Sequence, residues 1–139
     1  MTKITKGSIK SINELSVLVV EDDLFTSKYL KLLLSDLFHH LDTAGTAKDA
    51  FSLIENKVYD LLILDLNLPD MNGIELAQKI KTRHPHSTVI FNSSFVTSEI
   101  KNQLSDNGFE FLLPKPIKKD QLIPLIEQAI SSTFNGSKQ

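Results

Sequence analysis

Asp60-Leu61-Leu62-Ile63-Leu64-Asp65 is the most informative segment of this chain, and it continues into Leu66-Asn67-Leu68-Pro69-Asp70-Met71-Asn72-Gly73. The unbroken apolar run over residues 61–64 is too short for a helix and is typical of a strand buried on both faces. Asp65 then stands where this strand should leave the sheet, and residues 69–73 predict a loop. Because open α/β sheets bind ligands at the carboxyl ends of their strands, Asp65 is a candidate functional residue.

The composition is that of an ordinary single globular domain. Of the 139 residues, 41% are apolar and 23% are charged, which is usual for a soluble protein. A net charge of −2 argues against a nucleic-acid partner, because phosphate binding needs a concentrated basic face. The absence of cysteine excludes disulfides and thiolate metal sites. The sequence has neither a membrane-spanning run nor a secretion signal, so we expect a cytoplasmic protein without a membrane partner.

Strand and helix patterns alternate five times along the chain. We expect strands at residues 15–20, 39–44, 61–64, 88–91 and 109–113. This alternation implies a doubly wound α/β fold, in which five parallel strands form one sheet with helices on both faces.

The helical patterns also predict which side chains pack on the sheet. The first helix is expected over residues 24–38, with Asp23 as its N-cap. Its apolar stripe, assigned to the core, consists of Phe25, Tyr29, Leu32, Leu33 and Leu37. Gly108 is expected to end the fourth helix. Pro124 is assigned to the region of the first turn of the last helix, where a missing N–H costs little.

Polar side chains follow four of the strands, at the point where each strand ends. Glu21 and Asp22 follow the first strand, and Asp65 follows the third. Ser93 lies at the end of the fourth strand, and Lys115 follows the fifth. Because the carboxyl ends of parallel strands lie along one edge of a sheet, these side chains should converge there.

Carboxylates that converge in this way need a cation between them, since each would otherwise raise the pKa of its neighbours. Magnesium prefers oxygen ligands and commonly combines one or two carboxylates with waters and phosphate oxygens. Glu21, Asp22 and Asp65 supply such oxygens, and the backbone carbonyl of Asn67 is placed to add another. We therefore predict a site for Mg²⁺ or another divalent cation such as Mn²⁺.

Lys115 and Ser93 complete an environment suited to phosphoryl transfer. The ammonium group of Lys115 can neutralise a phosphoryl oxygen opposite the metal. The Ser93 hydroxyl can donate a hydrogen bond to the same group. Asp65 then becomes a carboxylate nucleophile whose transition-state charge is absorbed by its surroundings.

Three segments of this chain resemble the receiver domain of response regulators in two-component phosphorelay signalling, a chemotaxis-regulator-like module. They are Val19-Val20-Glu21-Asp22-Asp23, residues 65–73 and Lys115-Pro116, in register with the predicted topology. The resemblance implies a flavodoxin-like fold. It also implies that a phosphohistidine on a sensor histidine kinase or a histidine phosphotransfer protein phosphorylates Asp65. The receiver domain would occupy residues 15–131, between a flexible leader or linker remnant (1–14) and a disordered tail (132–139).

The resemblance also implies roles for the residues at the sheet edge. Glu21 and Asp22 would serve the magnesium ion, Asp22 more directly, and Asn67 would contribute its backbone carbonyl. Ser93 would be the switch hydroxyl and Lys115 the phosphate-contacting lysine. Phosphorylation would change the surface of the fourth helix, the fifth strand and the last helix, which would bind a downstream protein target.

Some positions depart from the family pattern. Ser93 replaces the commoner threonine but keeps the hydroxyl. Leu112 stands where the family often carries a tyrosine or phenylalanine that rotates inward on activation. A readout by rotation of an aromatic ring at this position is therefore in question. Phe95 places an apolar side chain near the phosphoryl group. Our hypothesis is that Phe95 hinders the attacking water and prolongs the phosphorylated state.

The remaining polar residues of interest are assigned structural roles. Asp70 and Asn72 are interpreted as turn formers, with Gly73 permitting the bend. The histidines lack metal-ligand spacing on a common element and are interpreted as surface residues: His39, His40, His84 and His86.

Two alternative functions are kept. A magnesium-dependent aspartyl-phosphate phosphohydrolase usually carries a second aspartate two residues after the nucleophile; here that residue is Asn67, which cannot act as a general acid. A receiver used only for docking would never be phosphorylated, and the intact acids and lysine give no sign of one. We therefore expect a signalling domain rather than a dedicated enzyme. Its output would be a protein contact, unless it belongs to a larger regulator or hybrid kinase, and the sequence leaves a phosphorylation-dependent homodimer open.

Overall fold

The computed structural model describes residues 12–136. After a short 3-10 turn at Ile12–Glu14, strands and helices alternate along the chain. The strands are β1 Ser16–Val20, β2 His40–Ala44, β3 Leu61–Asp65, β4 Thr88–Ser93 and β5 Phe111–Pro114. The helices are α1 Leu24–Ser35, α2 Ala47–Ile54, α3 Gly73–Arg83, α4 Ser98–Asp106 and α5 Lys119–Gly136.

The five strands form one parallel sheet in the order β2-β1-β3-β4-β5. This is the flavodoxin-like order, so the prediction of a doubly wound (βα)5 fold is confirmed. From β1 the chain first adds β2 on one side and then β3, β4 and β5 on the other. Ligands of such sheets bind at this change of side, between β1 and β3. Asp65 ends β3 there, with Asn92 of β4 as its neighbour in register.

The central strand β3 is buried on both faces, as its unbroken apolar run predicts. Leu62 and Leu64 join a hydrophobic core beneath α2, α3 and α4. Leu61 and Ile63 join a second core beneath α1 and α5. Burial of each such side chain stabilises the fold by roughly 1.5–3 kcal/mol. The site at the end of β3 therefore stands on a rigid support.

The predicted core stripe of α1 is wrong for three of its side chains. Phe25, Tyr29 and Leu32 are 86%, 42% and 73% exposed. Leu30 and Leu34 are fully buried instead, although Leu33 and Leu37 do pack against the second core. The helix carries apolar side chains on two faces, and helical periodicity alone does not say which face meets the sheet.

The last helix also differs from the prediction at both ends. Because α5 begins at Lys119, Pro124 is its sixth residue and lies beyond the first turn, where its ring removes a hydrogen bond within the helix. The helix continues to Gly136, so the predicted tail over residues 132–139 begins too early. Residues 1–11 of the predicted leader, and residues 137–139, lie outside the described residues.

Candidate functional site

Two acidic residues follow β1 in different environments. Glu21 is 1% exposed, and its Oε2 accepts a hydrogen bond of 3.1 Å from the backbone N–H of Asp23. Asp22 is exposed. The side chain of Asp23 accepts from the backbone N–H of Thr26 at 2.9 Å, so its prediction as the N-cap of α1 is confirmed. The cap holds the turn in which both acids lie.

The three predicted carboxylates do come together. Glu21, Asp22 and Asp65 each offer an oxygen, and these oxygens lie within 4.8 Å of one another. Glu21 Oε1 is buried, and the group that faces it is already a cation, the ammonium of Lys115 at 2.9 Å. Such a group of hard oxygen donors, partly open to water, suits Mg²⁺, which keeps several water ligands. The residues present therefore fit a divalent cation.

Lys115 reaches into the same cluster. Its Nζ donates to Asp65 Oδ2 at 3.0 Å and forms an ion pair with Glu21 Oε1 at 2.9 Å. Its backbone N–H donates to the carbonyl of Ser93 at 2.9 Å, so the end of β4 sets the position of the lysine. As predicted, the structure places Lys115 beside the carboxylate of Asp65.

The buried charges of the cluster perturb each other's titration. Burial raises the pKa of Glu21 to about 7, although the neighbouring lysine acts in the opposite direction. Burial also disfavours the charged form of Lys115, but the carboxylates of Glu21 and Asp65 outweigh this and raise the pKa of the lysine. Near neutral pH and without a metal, Glu21 is therefore expected to exchange between its protonated and its ionised form.

Ser93 ends β4 at the same edge, but its hydroxyl is bound to its own loop. Oγ donates to the carbonyl of Phe95 at 2.9 Å and accepts from the N–H of Phe95 at 3.0 Å. Phe95 itself is 65% exposed. To donate to a phosphoryl group on Asp65, the Ser93 hydroxyl would have to give up its hydrogen bond to the carbonyl of Phe95, which would loosen the loop before α4.

The loop between β3 and α3 is folded tightly around Asp65. Asp65 Oδ1 accepts from the backbone N–H of Asn67 at 2.9 Å, which fixes the peptide next to the predicted carbonyl ligand. Gly73 is required here because a Cβ at this position would lie 2.3 Å from the carbonyl oxygen of Asp65. The helix α3 therefore starts in direct contact with the end of β3.

Three polar side chains have roles that sequence reasoning missed. Asn72 is the N-cap of α3, since its Oδ1 accepts from the N–H of Ile74 at 2.7 Å. Asp70 is more than a turn former, because its carboxylate caps α2, a different helix. His84 is half-buried, with Nε2 3.1 Å from the carbonyl of Ile54, so its interpretation as a surface residue was wrong. The Asn72 cap had a signal, an asparagine before a helical pattern; the other two contacts depend on the folded chain.

A parallel sheet in this order, with an aspartate–acid–lysine cluster at its carboxyl edge, defines the receiver domain of a two-component response regulator. The family model of the response regulator receiver domain matches residues 17–127, and the chain belongs to this family. None of the helices within residues 12–136 is long and apolar enough to cross a membrane.

The chain is similar to several known proteins. The luminescence regulatory protein LuxO of Vibrio campbellii is 29% identical over 112 residues, which cover 81% of this chain and 25% of LuxO. An uncharacterized 14.6 kDa protein of Leptolyngbya boryana is 30% identical over 122 residues, 86% of this chain and 93% of that protein. The crystal structure of the signal receiver domain of a putative LuxO repressor protein from Vibrio parahaemolyticus superposes with a TM-score of 0.79 at 27% identity, covering 89% of this chain and 95% of that one. The chain thus spans about a quarter of the LuxO protein that it matches.

Proposed function

We propose that Asp65 accepts a phosphoryl group from a phosphohistidine donor and that its phosphorylation switches a protein-interaction surface. The observation that carries this proposal is the position of Lys115 Nζ, 3.0 Å from Asp65 Oδ2, beside three carboxylates that can share one cation. A carboxylate oxygen of Asp65 would attack phosphorus, and the P–N bond to the donor histidine would break with its electron pair going to the imidazole. This is the chemistry of a carboxylate nucleophile.

The cation site is part of this proposal. Glu21, Asp22, Asp65 and the carbonyl of Asn67 would hold Mg²⁺ or a similar divalent cation. When bound, the cation would neutralise charge on the transferring phosphoryl group. Lys115 would neutralise a phosphoryl oxygen on the other side, which its present contact with Asp65 supports.

The switch would act through Ser93. Once the Ser93 hydroxyl donates to the phosphoryl group, it can no longer donate to the carbonyl of Phe95, so one of the two hydrogen bonds that hold this residue is lost. The loop leads directly into α4, whose N-cap is Thr97. Phosphorylation would therefore bias the chain between two arrangements of α4 and the neighbouring β5 and α5. A downstream protein target would bind one arrangement, and a homodimer of the phosphorylated form would use the same surface.

A sensor histidine kinase or a histidine phosphotransfer protein is the proposed donor. The exposed side chains of Phe25 and Tyr29 form an apolar groove with Lys115, Pro116 and Ile117. The Lys115 side chain that lines this groove also contacts Asp65. A donor seated there would bring its phosphohistidine next to the acceptor. The proposed setting is the cytoplasm, and the proposed signalling unit is residues 15–131, extended by the remaining residues of α5 to Gly136.

Phosphorylation by a small-molecule donor tests the proposal. Incubation with acetyl phosphate and Mg²⁺ should add the mass of one phosphoryl group to the wild type and none to Asp65→Asn. Asp49→Asn changes the same charge at an exposed position and should be phosphorylated normally. Equal phosphorylation of Asp65→Asn would contradict the proposal, as would a wild type that takes up no phosphoryl group.

A further inference from the structure

Asp70 makes two hydrogen bonds to another element. Its Oδ1 accepts from the backbone N–H of Ala47 at 2.9 Å, and its Oδ2 accepts from the N–H of Lys48 at 3.0 Å. These are the first two residues of α2, whose initial N–H groups have no partner within the helix. Since both oxygens are engaged, the carboxylate is fixed in orientation as well as in position.

The helix α2 does not need Asp70 as its own cap. Thr46 already fills that place, because its hydroxyl oxygen accepts from the N–H of Asp49 at 3.0 Å. The two caps satisfy different N–H groups of the same turn. Thr46 belongs to the chain segment that enters α2, whereas Asp70 reaches it from the loop that follows the phosphoacceptor. The contact of Asp70 therefore joins two loops at the same edge of the sheet.

The loop that carries Asp70 also carries the predicted carbonyl ligand. Asn67 lies three residues before Asp70, and its position opposite Asn72 makes the loop a narrow turn. Asn67 is held to Asp65 at one end of this turn, and Asp70 holds the tip to α2. Because Asn67 and Asp70 are only three residues apart, a displacement of the tip would also move the Asn67 carbonyl.

The segment before α2 is connected to the opposite side of the cation site. The backbone N–H of Glu21 donates to the carbonyl of Ala44 at 2.9 Å. Ala44 ends β2, and the chain enters α2 at Ala47. The acids after β1 and the loop after β3 are thus linked twice to one connecting segment, once through Glu21 and once through Asp70.

We infer that Asp70 is a positioning residue of the cation site, which sets the place of the Asn67 carbonyl by fastening its loop to α2. The inference rests on the proposed function, since it concerns the same cation. Asp70 would act from outside the ligand set, as the hydrogen-bonded partners of metal ligands do in other proteins. Its loss should weaken cation binding while leaving the contact between Lys115 and Asp65 in place.

Measurement of the Mg²⁺ dissociation constant by NMR titration tests this inference. Asp70→Ala removes both hydrogen bonds and should raise the dissociation constant about tenfold, the lower end of the range for such outer partners. Asp70→Asn keeps an acceptor for one N–H and should give an intermediate value. Thr46→Ala removes the other cap of α2, and Asp49→Asn removes an equal nearby charge; both should bind Mg²⁺ as the wild type does.

Amide hydrogen exchange gives a second readout without any metal. The amides of Asn67, Leu68, Asp70 and Met71 should exchange faster in Asp70→Ala than in the wild type, and at the wild-type rate in Thr46→Ala. If Asp70→Ala does not give the NMR spectrum of a folded chain, the same two measurements on Asp70→Asn test the inference.

Unchanged Mg²⁺ affinity and unchanged amide exchange in the Asp70 variants would overturn the inference. An equal loss of Mg²⁺ affinity in Thr46→Ala would overturn it too. If the wild type is phosphorylated on Asp65 and the Asp70 variants bind Mg²⁺ as the wild type does, this inference alone is overturned. If the wild type neither binds Mg²⁺ nor is phosphorylated, the proposed function is overturned as well.

Discussion

At the scale of single residues, the carboxylate of Asp65 is held on both oxygens before any phosphoryl group arrives. Oδ1 accepts from Asn67 and Oδ2 from Lys115. These contacts would keep the proposed nucleophile in one orientation, which would lower the entropic part of the barrier. The burial of Glu21 beside them has a different consequence, because its raised pKa makes the site sensitive to pH.

The affinity for Mg²⁺ should fall as the pH decreases through about 7, the pKa to which burial raises Glu21. In the proposed site the Glu21 carboxylate binds the cation, whereas without metal Glu21 would be protonated below that pH, so protons would compete with the metal. One competing proton lowers the affinity by up to about tenfold for each pH unit. Titrations of the wild type and Glu21→Gln at pH 6, 7 and 8 measure this.

Glu21→Gln should bind Mg²⁺ more weakly at pH 8 but with little change across the range. An affinity of the wild type that does not depend on pH would contradict a role for the Glu21 carboxylate.

The lifetime of the phosphorylated state should depend on Phe95. This side chain follows Ser93 at the site edge and is largely exposed, where it can hinder an attacking water. Phe95→Glu should shorten the half-life several-fold, corresponding to about 1 kcal/mol in the activation barrier. Decay of the phosphorylated protein after removal of acetyl phosphate measures it. Val58→Glu places the same charge at another exposed apolar position and should leave the half-life unchanged; a wild-type half-life in Phe95→Glu would contradict the hypothesis.

At the scale of elements, α1 carries apolar side chains on both a buried and an exposed face. Leu30 and Leu34 bury their side chains against the sheet. The opposite side exposes Phe25 and Tyr29 beside Lys115, where they form an apolar groove. An exposed apolar face of this kind is typical of a surface that meets a partner.

One buried and one exposed leucine of α1 test which face of the helix packs on the sheet. Leu34→Ala should lower the free energy of unfolding by about 2–5 kcal/mol, because it leaves a cavity in the second core. Leu32→Ala, at a position 73% exposed, should change it by no more than about 0.5 kcal/mol. Urea denaturation measures both, and equal losses would contradict the orientation of the helix.

The sequence predicts those features of the fold that depend on short segments. The apolar run of β3 indicates a strand buried on both faces, and Gly108 with a φ of 83° ends α4 as predicted. The core face of α1 could not be predicted, since the helix carries apolar side chains on its exposed face as well. Likewise, the capping of α2 by Asp70 and the present hydrogen bonds of Ser93 depend on how loops lie against each other, and neither follows from residue spacing.

At the scale of the whole molecule, the site is assembled from the ends of four strands and held together by contacts between their loops. The backbone of Lys115 is bound to the end of β4, and Asp70 binds the loop after β3 to α2. A phosphoryl group on Asp65 would therefore act on several elements at once. Its effect on α4 would pass through Ser93, which ends β4 and precedes the loop that leads into α4.

Chemical mapping of the phosphoryl group tests the central claim most directly. Borohydride reduces an aspartyl phosphate to homoserine, so the modified position can be found by mass analysis of peptides. After treatment with acetyl phosphate and Mg²⁺, we expect homoserine at position 65 and unmodified carboxylates at Glu21 and Asp22. Reduction at a different carboxylate, or a phosphorylated protein in which position 65 stays aspartate, would contradict the account.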